Sequence, residues 1–222
     1  MGASENIAIM KRHPIANLGL LAMTVLGCFA VSRGNAAPQP AAMSRTWQFE
    51  FQSTTPEPIA IPDGNGGHDW YWYLPYTVTN TSKRDRAFLP VLTIATDQGD
   101  IVRANQNIAP SVFTAIRMEM QNPLLQSPMA MPRTLKRGRD HMRRSVAIWP
   151  AFEGDVDQMS IFITGLSGEH TTVIDPATGE PVVDPKPLLL RKTLMIDFDL
   201  AGTVSHPQQL SPLETGRRWI MR

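Results

Sequence analysis

The chain has 222 residues, of which 42% are hydrophobic and 18% are charged, and its formal net charge is +1. These proportions are typical of one ordinary globular domain. A net charge this close to zero gives no overall electrostatic reason to bind nucleic acid or anionic lipid. We therefore expect no nucleic-acid partner.

Residues 1–36 are predicted to be a signal peptide, so we expect the protein to be exported, either periplasmic or extracellular. Residues 11–13 are basic, residues 15–31 form an apolar run, and the small residues that end at Ala36 provide a cleavage context. The apolar run is about 17 residues long, close to the lower limit for crossing a bilayer, so a retained anchor helix is the alternative. Met10 is an alternative start, because export does not need the residues before it.

Cys28 is the single cysteine of the chain, and it lies inside this apolar run. The preceding Val25-Leu26-Gly27 is similar to a bacterial lipoprotein signal, so lipidation of Cys28 is a second alternative. The large Leu26 and the apolar residues after the cysteine argue against it. If cleavage falls near Ala36, the remaining chain has no cysteine for disulfide or thiol chemistry. A membrane contact is thus expected only through the signal segment or a lipid on Cys28.

The next residues predict a flexible lead-in followed by the first strand. Residues 37–44 form the lead-in, and residues 45–53 are predicted to be a strand with one aromatic face, made of Trp47, Phe49 and Phe51. Residues 54–68 are rich in proline and glycine, which indicates a loop. Within this loop, residues 59–61 are predicted to form a short edge strand.

Residues 71–104 predict three consecutive antiparallel strands. Apolar residues alternate along the first and the second, namely Trp72, Leu74, Tyr76, Val78, Phe88, Leu92 and Ile94. The polar residues 80–86 predict a turn, and residues 97–100 predict a hairpin in which Gly99 adopts positive φ. Pro75 and Pro90 each remove a ladder donor, so we expect them at sheet edges or bulges.

The second half of the chain predicts one helix and further strands. Residues 108–121 carry apolar residues at helical spacing and have Pro110 in the first turn. Residues 122–134 contain three prolines and are predicted to be a loop that lies across the domain. The later elements are predicted to be strands at 145–152, 159–164 and 188–200, a hairpin at 171–183 that turns at 175–179, and an irregular tail at 206–222.

The pattern predicts an all-β fold, an immunoglobulin-like antiparallel β-sandwich with one short helix, over residues 45–205. Three segments resemble immunoglobulin-like envelope domains of bacteria: TVTNTSKRDRAFLPVLTIATDQGDI, LKRGRDHMRRSVAIWPAF and MSIFITGLSGE. The resemblance covers about residues 70–170. It implies an exported sandwich and brings no catalytic residues with it.

Histidines and carboxylates give one speculative site. His68 and Asp69 are adjacent between a glycine-rich loop and an aromatic strand, where they would line a pocket, and a solvated loop is the favoured interpretation. The other histidines lack the spacing of converging ligands, so we predict no metal and no cofactor. Asp197 and Asp199 share one strand face, which we interpret as a solvent face.

Two surfaces are candidates for binding. Tyr71 and Tyr73, if they face outward, form an aromatic platform for a sugar or a partner protein; alternatively a second sheet or the 122–134 loop covers them. The densest basic run is a candidate for anionic lipid headgroups, envelope phosphates or an acidic partner, and otherwise a solvated loop. Its members are Lys136, Arg137, Arg139, Arg143 and Arg144. The C-terminal residues are either an interaction tail or, as we favour, pack through Trp219 and Ile220.

The sequence therefore predicts a non-catalytic, exported structural or binding module of the cell envelope, with an envelope protein or glycan as its partner. Two alternatives remain at this point. One is a carbohydrate-binding module that uses Tyr71 and Tyr73. The other is an envelope-glycan hydrolase that uses His68 and Asp69 beside the Trp-Tyr strand.

Overall fold

The computed structural model describes residues 38–43, 46–152, 156–201 and 210–222, which belong to the compact unit Ala36–Arg222. The predicted signal peptide, Cys28 and Met10 lie outside the described residues. Within the described residues the chain forms twelve strands and one α-helix, α1 (Pro110–Glu119). The strands are β1 (Glu50–Ser53), β2 (Glu57–Pro62), β3 (His68–Thr79), β4 (Arg86–Phe88), β5 (Val91–Thr96), β6 (Ile101–Arg103), β7 (Arg133–Leu135), β8 (Arg143–Pro150), β9 (Gln158–Thr164), β10 (His170–Thr172), β11 (Leu189–Ala201) and β12 (Ser211–Met221).

The strands form two large antiparallel sheets and one small one. In the first sheet β3 is central, with β8 on one side and β1 and β2 on the other. The second sheet runs β10-β11-β9-β5-β6, and β12 pairs with β11 along nearly its whole length. The third sheet contains only β4 and β7. The expected all-β class is correct.

The two large sheets share one hydrophobic core. The strands alternate as the sequence predicts, so alternate side chains along part of β3, β5 and β11 enter the same buried cluster. The members from these three strands are Trp72, Leu74, Tyr76, Val78, Leu92, Ile94, Leu194, Ile196, Phe198 and Leu200. The first predicted strand is shorter than expected, but Phe49 is buried and Trp47 and Phe51 pack against this core.

Helix α1 covers the outer face of the first sheet. Its first turn contains Pro110, whose missing N–H costs nothing there, and its buried residues are Val112 and Ile116. These two form a second cluster with residues of the sheet and of the following loop, namely Tyr73, Leu125, Val146 and Ile148. The predicted helix and its apolar face are confirmed.

The turn chemistry follows the expected pattern. Gly99 has a φ of 92° in the β5–β6 hairpin, and its N–H donates to the Thr96 carbonyl at 3.1 Å. The turn predicted at 175–179 is also present, with Gly179 N–H bonded to the Asp175 carbonyl at 2.8 Å. The hairpin predicted around it is reduced to isolated bridges, because β10 pairs with the start of β11 instead.

Pro75 does not mark a sheet edge, and that prediction is wrong. It lies in the central strand β3, opposite Val146 of β8. Its carbonyl accepts a hydrogen bond from Thr54 N–H at 3.3 Å, on the side of β1 and β2. Because the N and O of a residue point the same way in an antiparallel ladder, the missing donor also faces that side. The chain there passes from β1 to β2, so no ladder bond is lost.

The C-terminal residues are not an irregular tail, and the predicted domain end near residue 205 is also wrong. β12 pairs with β11 from Ser211↔Ala201 to Met221↔Lys192, with a bulge beside Asp197. Trp219 packs against the core. The tail interpretation therefore gives way to a strand that completes the second sheet.

Candidate binding surface

His68 and Asp69 are exposed at the start of β3, opposite Pro62 and Ile61 of β2. Consecutive strand residues point to opposite faces, so these two side chains do not converge on one reacting group. Among the residues that the structure describes, no three histidine, cysteine or acidic side chains are grouped as metal ligands.

Tyr71 and Tyr73 do not form an exposed aromatic platform. Tyr73 is 2% exposed beneath α1, and its hydroxyl donates to Glu57 Oε2 at 2.7 Å. Burial, and then this hydrogen bond, raise the pKa of Tyr73. Tyr71 is half-buried against the same cluster. The covering residues come from α1 and from Leu125 of the 122–134 loop, so the loop alternative is correct in part and the cover by α1 is the additional finding.

The Asp197 and Asp199 carboxylates bond to their neighbours across the sheet. Asp197 accepts from Ser160 Oγ at 2.6 Å and pairs with Arg218, and Asp199 accepts from Gln158 Nε2 at 3.1 Å. These cross-strand contacts account for both carboxylates as part of the outer face of the second sheet.

Arg143 does not belong to the predicted basic patch, because the residue is buried and only 8% exposed. Its guanidinium donates to Gln126 Oε1 at 2.7 Å, to the Ala130 carbonyl at 2.7 Å and to the Met131 carbonyl at 3.2 Å. Burial lowers its pKa. Arg143 thus fixes the loop between α1 and β7 and presents no charge to a partner.

Arg144 is half-buried and lies apart from the exposed part of the run. It lines a cavity of about 260 Å³ on the outer face of the first sheet, beside Asn122 and Leu125. Its Nη2 lies 4.0 Å from Met142 Sδ. Lys136, Arg137 and Arg139 are exposed, as a surface role requires.

The small β4–β7 sheet brings a second basic segment beside this run. Arg86 of β4 lies opposite Leu135 of β7, and Asn80 forms a bridge with Arg137. Asp85 Oδ1 accepts the Arg137 N–H at 2.9 Å. The turn at residues 81–84 is therefore adjacent to residues 136–137.

We define the cationic surface as Lys83, Arg84, Arg86, Lys136 and Arg137. Four of these side chains are exposed and Arg86 is half-buried. Among the described residues, none of the five forms an ion pair with a carboxylate. The one acidic residue between positions 80 and 88 is Asp85, and its oxygen binds a backbone N–H. The surface therefore presents concentrated positive charge to solvent.

Asn80 shapes the first half of this surface. It is fully buried, and its Nδ2 donates to the Arg84 carbonyl at 2.9 Å and to the Leu135 carbonyl at 2.8 Å. Its Oδ1 accepts from Ser82 N at 3.0 Å and from Ser82 Oγ at 2.6 Å. The Asn80 side chain thus holds the residues of the basic turn together and also joins this turn to β7.

A cavity of about 540 Å³ opens beside the cationic surface. Lys83, Arg84 and Arg86 line it, together with Trp47 and the hydroxyl-bearing residues around them. The Arg86 guanidinium lies over the Trp47 ring at 5.2 Å from its centroid. The cavity is thus lined by three cations and one aromatic ring, and one of the cations packs on that ring.

The sequence interpretation missed the contribution of Lys83, Arg84 and Arg86. They were part of a polar turn, and the pairing of β4 with β7 is what joins them to the basic run. The signal that was present is the sequence KRDR, in which three cations surround one acid.

No protein-family model matches this chain, and no curated protein or solved structure shows significant similarity to it. Among the described residues, no helix combines the length and the apolar character that a membrane span requires.

Proposed function

We propose that this protein is a non-catalytic, exported binding module of the cell envelope, built on an immunoglobulin-like sandwich, which binds an anionic envelope polymer through its cationic surface. The observation that carries the proposal is the juxtaposition of five cations without a carboxylate partner in the described residues. Like charges held together repel each other, and a polyanion relieves that repulsion.

The charge distribution of the chain supports this choice of partner. Residues 83–86 and 136–137 carry formal charges of +2 each, so the remainder of the chain carries −3. The near-zero net charge therefore hides a strong local excess. A polyanion that contacts this region is attracted there and repelled elsewhere, which favours one binding orientation.

The export part of the proposal rests on the N-terminal sequence. A basic region, an apolar run and a small-residue cleavage context precede the domain. Mass spectrometry of the protein expressed in a bacterial host tests it. A product that begins near Ala37 supports a free exported domain, and a diacyl mass on Cys28 supports a lipoprotein. A full-length cytoplasmic product contradicts export.

The binding test compares two charge-reversal variants. Lys136→Glu/Arg137→Glu changes the cationic surface, and Arg117→Glu/Lys186→Glu changes two exposed cations elsewhere by the same charge. We expect the first variant to lose retention on immobilised poly(glycerol phosphate) and the second to keep it. Both variants should unfold at the temperature of the wild type, because exposed charges contribute little to stability. Equal retention of all three proteins would contradict the proposal.

A further inference from the structure

We infer that the cavity beside Trp47 is a subsite for a single phosphate group. The inference rests on the proposed function, because it names the chemical group of the anionic partner that this surface recognises. The cavity is lined by residues 46–48, residues 81–84 and Arg86. Its volume of about 540 Å³ is large enough for a phosphate and part of the unit to which the phosphate is esterified.

Arg86 provides a guanidinium whose position is already fixed. It lies in β4, where its backbone pairs with Leu135, and its side chain packs over Trp47. Its Nε is buried and has no hydrogen-bond partner among the described residues. This atom is enclosed by protein atoms, which limits the freedom of the side chain. A fixed guanidinium also loses little side-chain entropy when an oxyanion binds.

Lys83 and Arg84 supply two more positive charges at the rim. Both are exposed, but the backbone that carries them is held in one conformation. The Arg84 carbonyl accepts a hydrogen bond from Asn80 Nδ2 at 2.9 Å, and Ser82 Oγ, whose proton goes to Asn80 Oδ1, lies 3.0 Å from that carbonyl. The turn is therefore preorganised, while its two long side chains remain able to adjust to the ligand.

The composition of the cavity favours phosphate over a carboxylate or a neutral sugar. Three cations exceed the charge of one carboxylate, whereas a phosphate offers several oxygens to guanidinium and ammonium donors. The Trp47 ring already contacts Arg86, and Phe49 packs against it with ring centroids 4.9 Å apart. That ring is therefore less able to stack on a sugar, which leaves charge as the basis of recognition.

The test titrates the protein with glycerol 1-phosphate and inorganic phosphate, followed by tryptophan fluorescence and by ³¹P line broadening at constant ionic strength. Glucuronate is the carboxylate control. We expect saturable binding of the phosphate compounds and at least about tenfold weaker binding of glucuronate. Phosphate should also raise the melting temperature of the wild type, because it binds the folded state. Glucuronate binding as tight as glycerol 1-phosphate would overturn the inference.

Two variants locate the site, and a third is the control. We expect Arg86→Gln and Arg84→Gln each to weaken glycerol 1-phosphate binding about tenfold, and Arg117→Gln to leave it unchanged. Arg84 is exposed and forms no ion pair in the described residues, so its variant keeps the inference testable if Arg86→Gln fails to fold. Equal affinities of the wild type and Arg84→Gln would overturn the inference.

Three ligands separate the sources of the phosphate. They are inorganic phosphate, soluble poly(glycerol phosphate) and phosphatidylglycerol vesicles, each measured with the wild type and with Arg84→Gln. The source that this variant weakens most is the one the cavity serves. If Lys136→Glu/Arg137→Glu no longer binds the polymer while Arg84→Gln still binds it, the result supports the cationic surface as the binding site and overturns the phosphate subsite. If neither changes polymer binding, the proposed function fails.

Discussion

Asn80 is the residue on which the shape of the cationic turn depends. Replacing it with alanine removes the Nδ2 donor of the buried Leu135 carbonyl and of the part-buried Arg84 carbonyl. We expect Asn80→Ala to lower the free energy of unfolding by about 2–4 kcal/mol, measured by urea denaturation. Because the turn loosens, retention on the polyanion should also fall. An unchanged urea midpoint would show that these bonds do not hold the turn.

Arg143 shows that one member of a run of basic residues can be buried while its neighbours are exposed. Composition placed it with the exposed cations, although its position in β8 has the same parity as the buried Ala147 and Trp149. The other parity of β8 is buried as well, at Val146 and Ile148, so strand parity alone could not have separated Arg143 from the exposed cations. Its three acceptors come from residues 126–131, and their positions follow from the tertiary fold.

The buried tyrosines predict a loss of stability in alkali. Burial raises the pKa of Tyr76 to about 12 and also raises that of Tyr73. The stabilisation that comes from keeping these phenols neutral is complete below the ordinary tyrosine pKa of about 10 and is lost as the pH rises through the folded-state value. We expect the midpoint of urea unfolding to decrease between about pH 10 and pH 12.

Absorbance at 295 nm provides the direct measurement for these tyrosines. At pH 11 the native protein should show less tyrosinate absorbance than the same sample in denaturant. In Tyr73→Phe this native deficit should shrink, because one suppressed phenol is removed. Identical absorbance with and without denaturant would contradict the role assigned to burial.

At the scale of elements, β12 illustrates how pairing can override a weak local pattern. Pro212 and Gly216 interrupt the segment, which is why its sequence indicated a tail. Pro212 is tolerated because its partner Leu200 donates its N–H away from β12, to the Asp157 carbonyl at 2.8 Å. The pair is therefore one that exchanges no backbone hydrogen bonds, and β11 does not need a donor from the proline.

Two substitutions on β12 distinguish a strand from a tail. Trp219 packs against the core and lies under the Lys192 ammonium, 5.2 Å from the ring centroid, whereas Leu213 is 65% exposed. We expect Trp219→Ala to cost about 2–4 kcal/mol of unfolding free energy and Leu213→Ala less than about 0.5 kcal/mol. Thermal and urea unfolding measure both. Two neutral substitutions would restore the tail interpretation.

At the scale of the whole molecule, the uneven charge distribution predicts a strong dependence on salt. The cationic surface is exposed, so added salt screens its attraction for a polyanion. We expect polymer binding to weaken steadily between about 50 and 500 mM NaCl, with a shallower dependence in Lys136→Glu/Arg137→Glu. The association rate, measured by stopped flow, should account for much of the change. An affinity for the polymer that does not change with NaCl concentration would indicate apolar recognition and contradict this prediction.

The sequence predicted the fold class because strand alternation is a local property, visible in β3, β5 and β11 one residue at a time. It also predicted α1 from Pro110 and the spacing of Val112 and Ile116. It did not predict that α1 covers Tyr73, or that β4 lies beside β7, because these neighbours are distant in the chain. The candidate surface depends on such long-range pairing, so the sequence identified only two of its five members, Lys136 and Arg137.

The pairing of β3 with β8 also affects how quickly the molecule reaches this structure. Val78 meets Arg143, and Tyr71 meets Pro150, so the central ladder of the first sheet closes across much of the chain. The chain loses conformational entropy when it closes such a loop, before the contacts that compensate this loss have formed. Sheets with this connectivity therefore fold in milliseconds to seconds. The short β5–β6 hairpin closes far sooner. We therefore expect the docking of β8 onto β3 to be the slowest step of refolding.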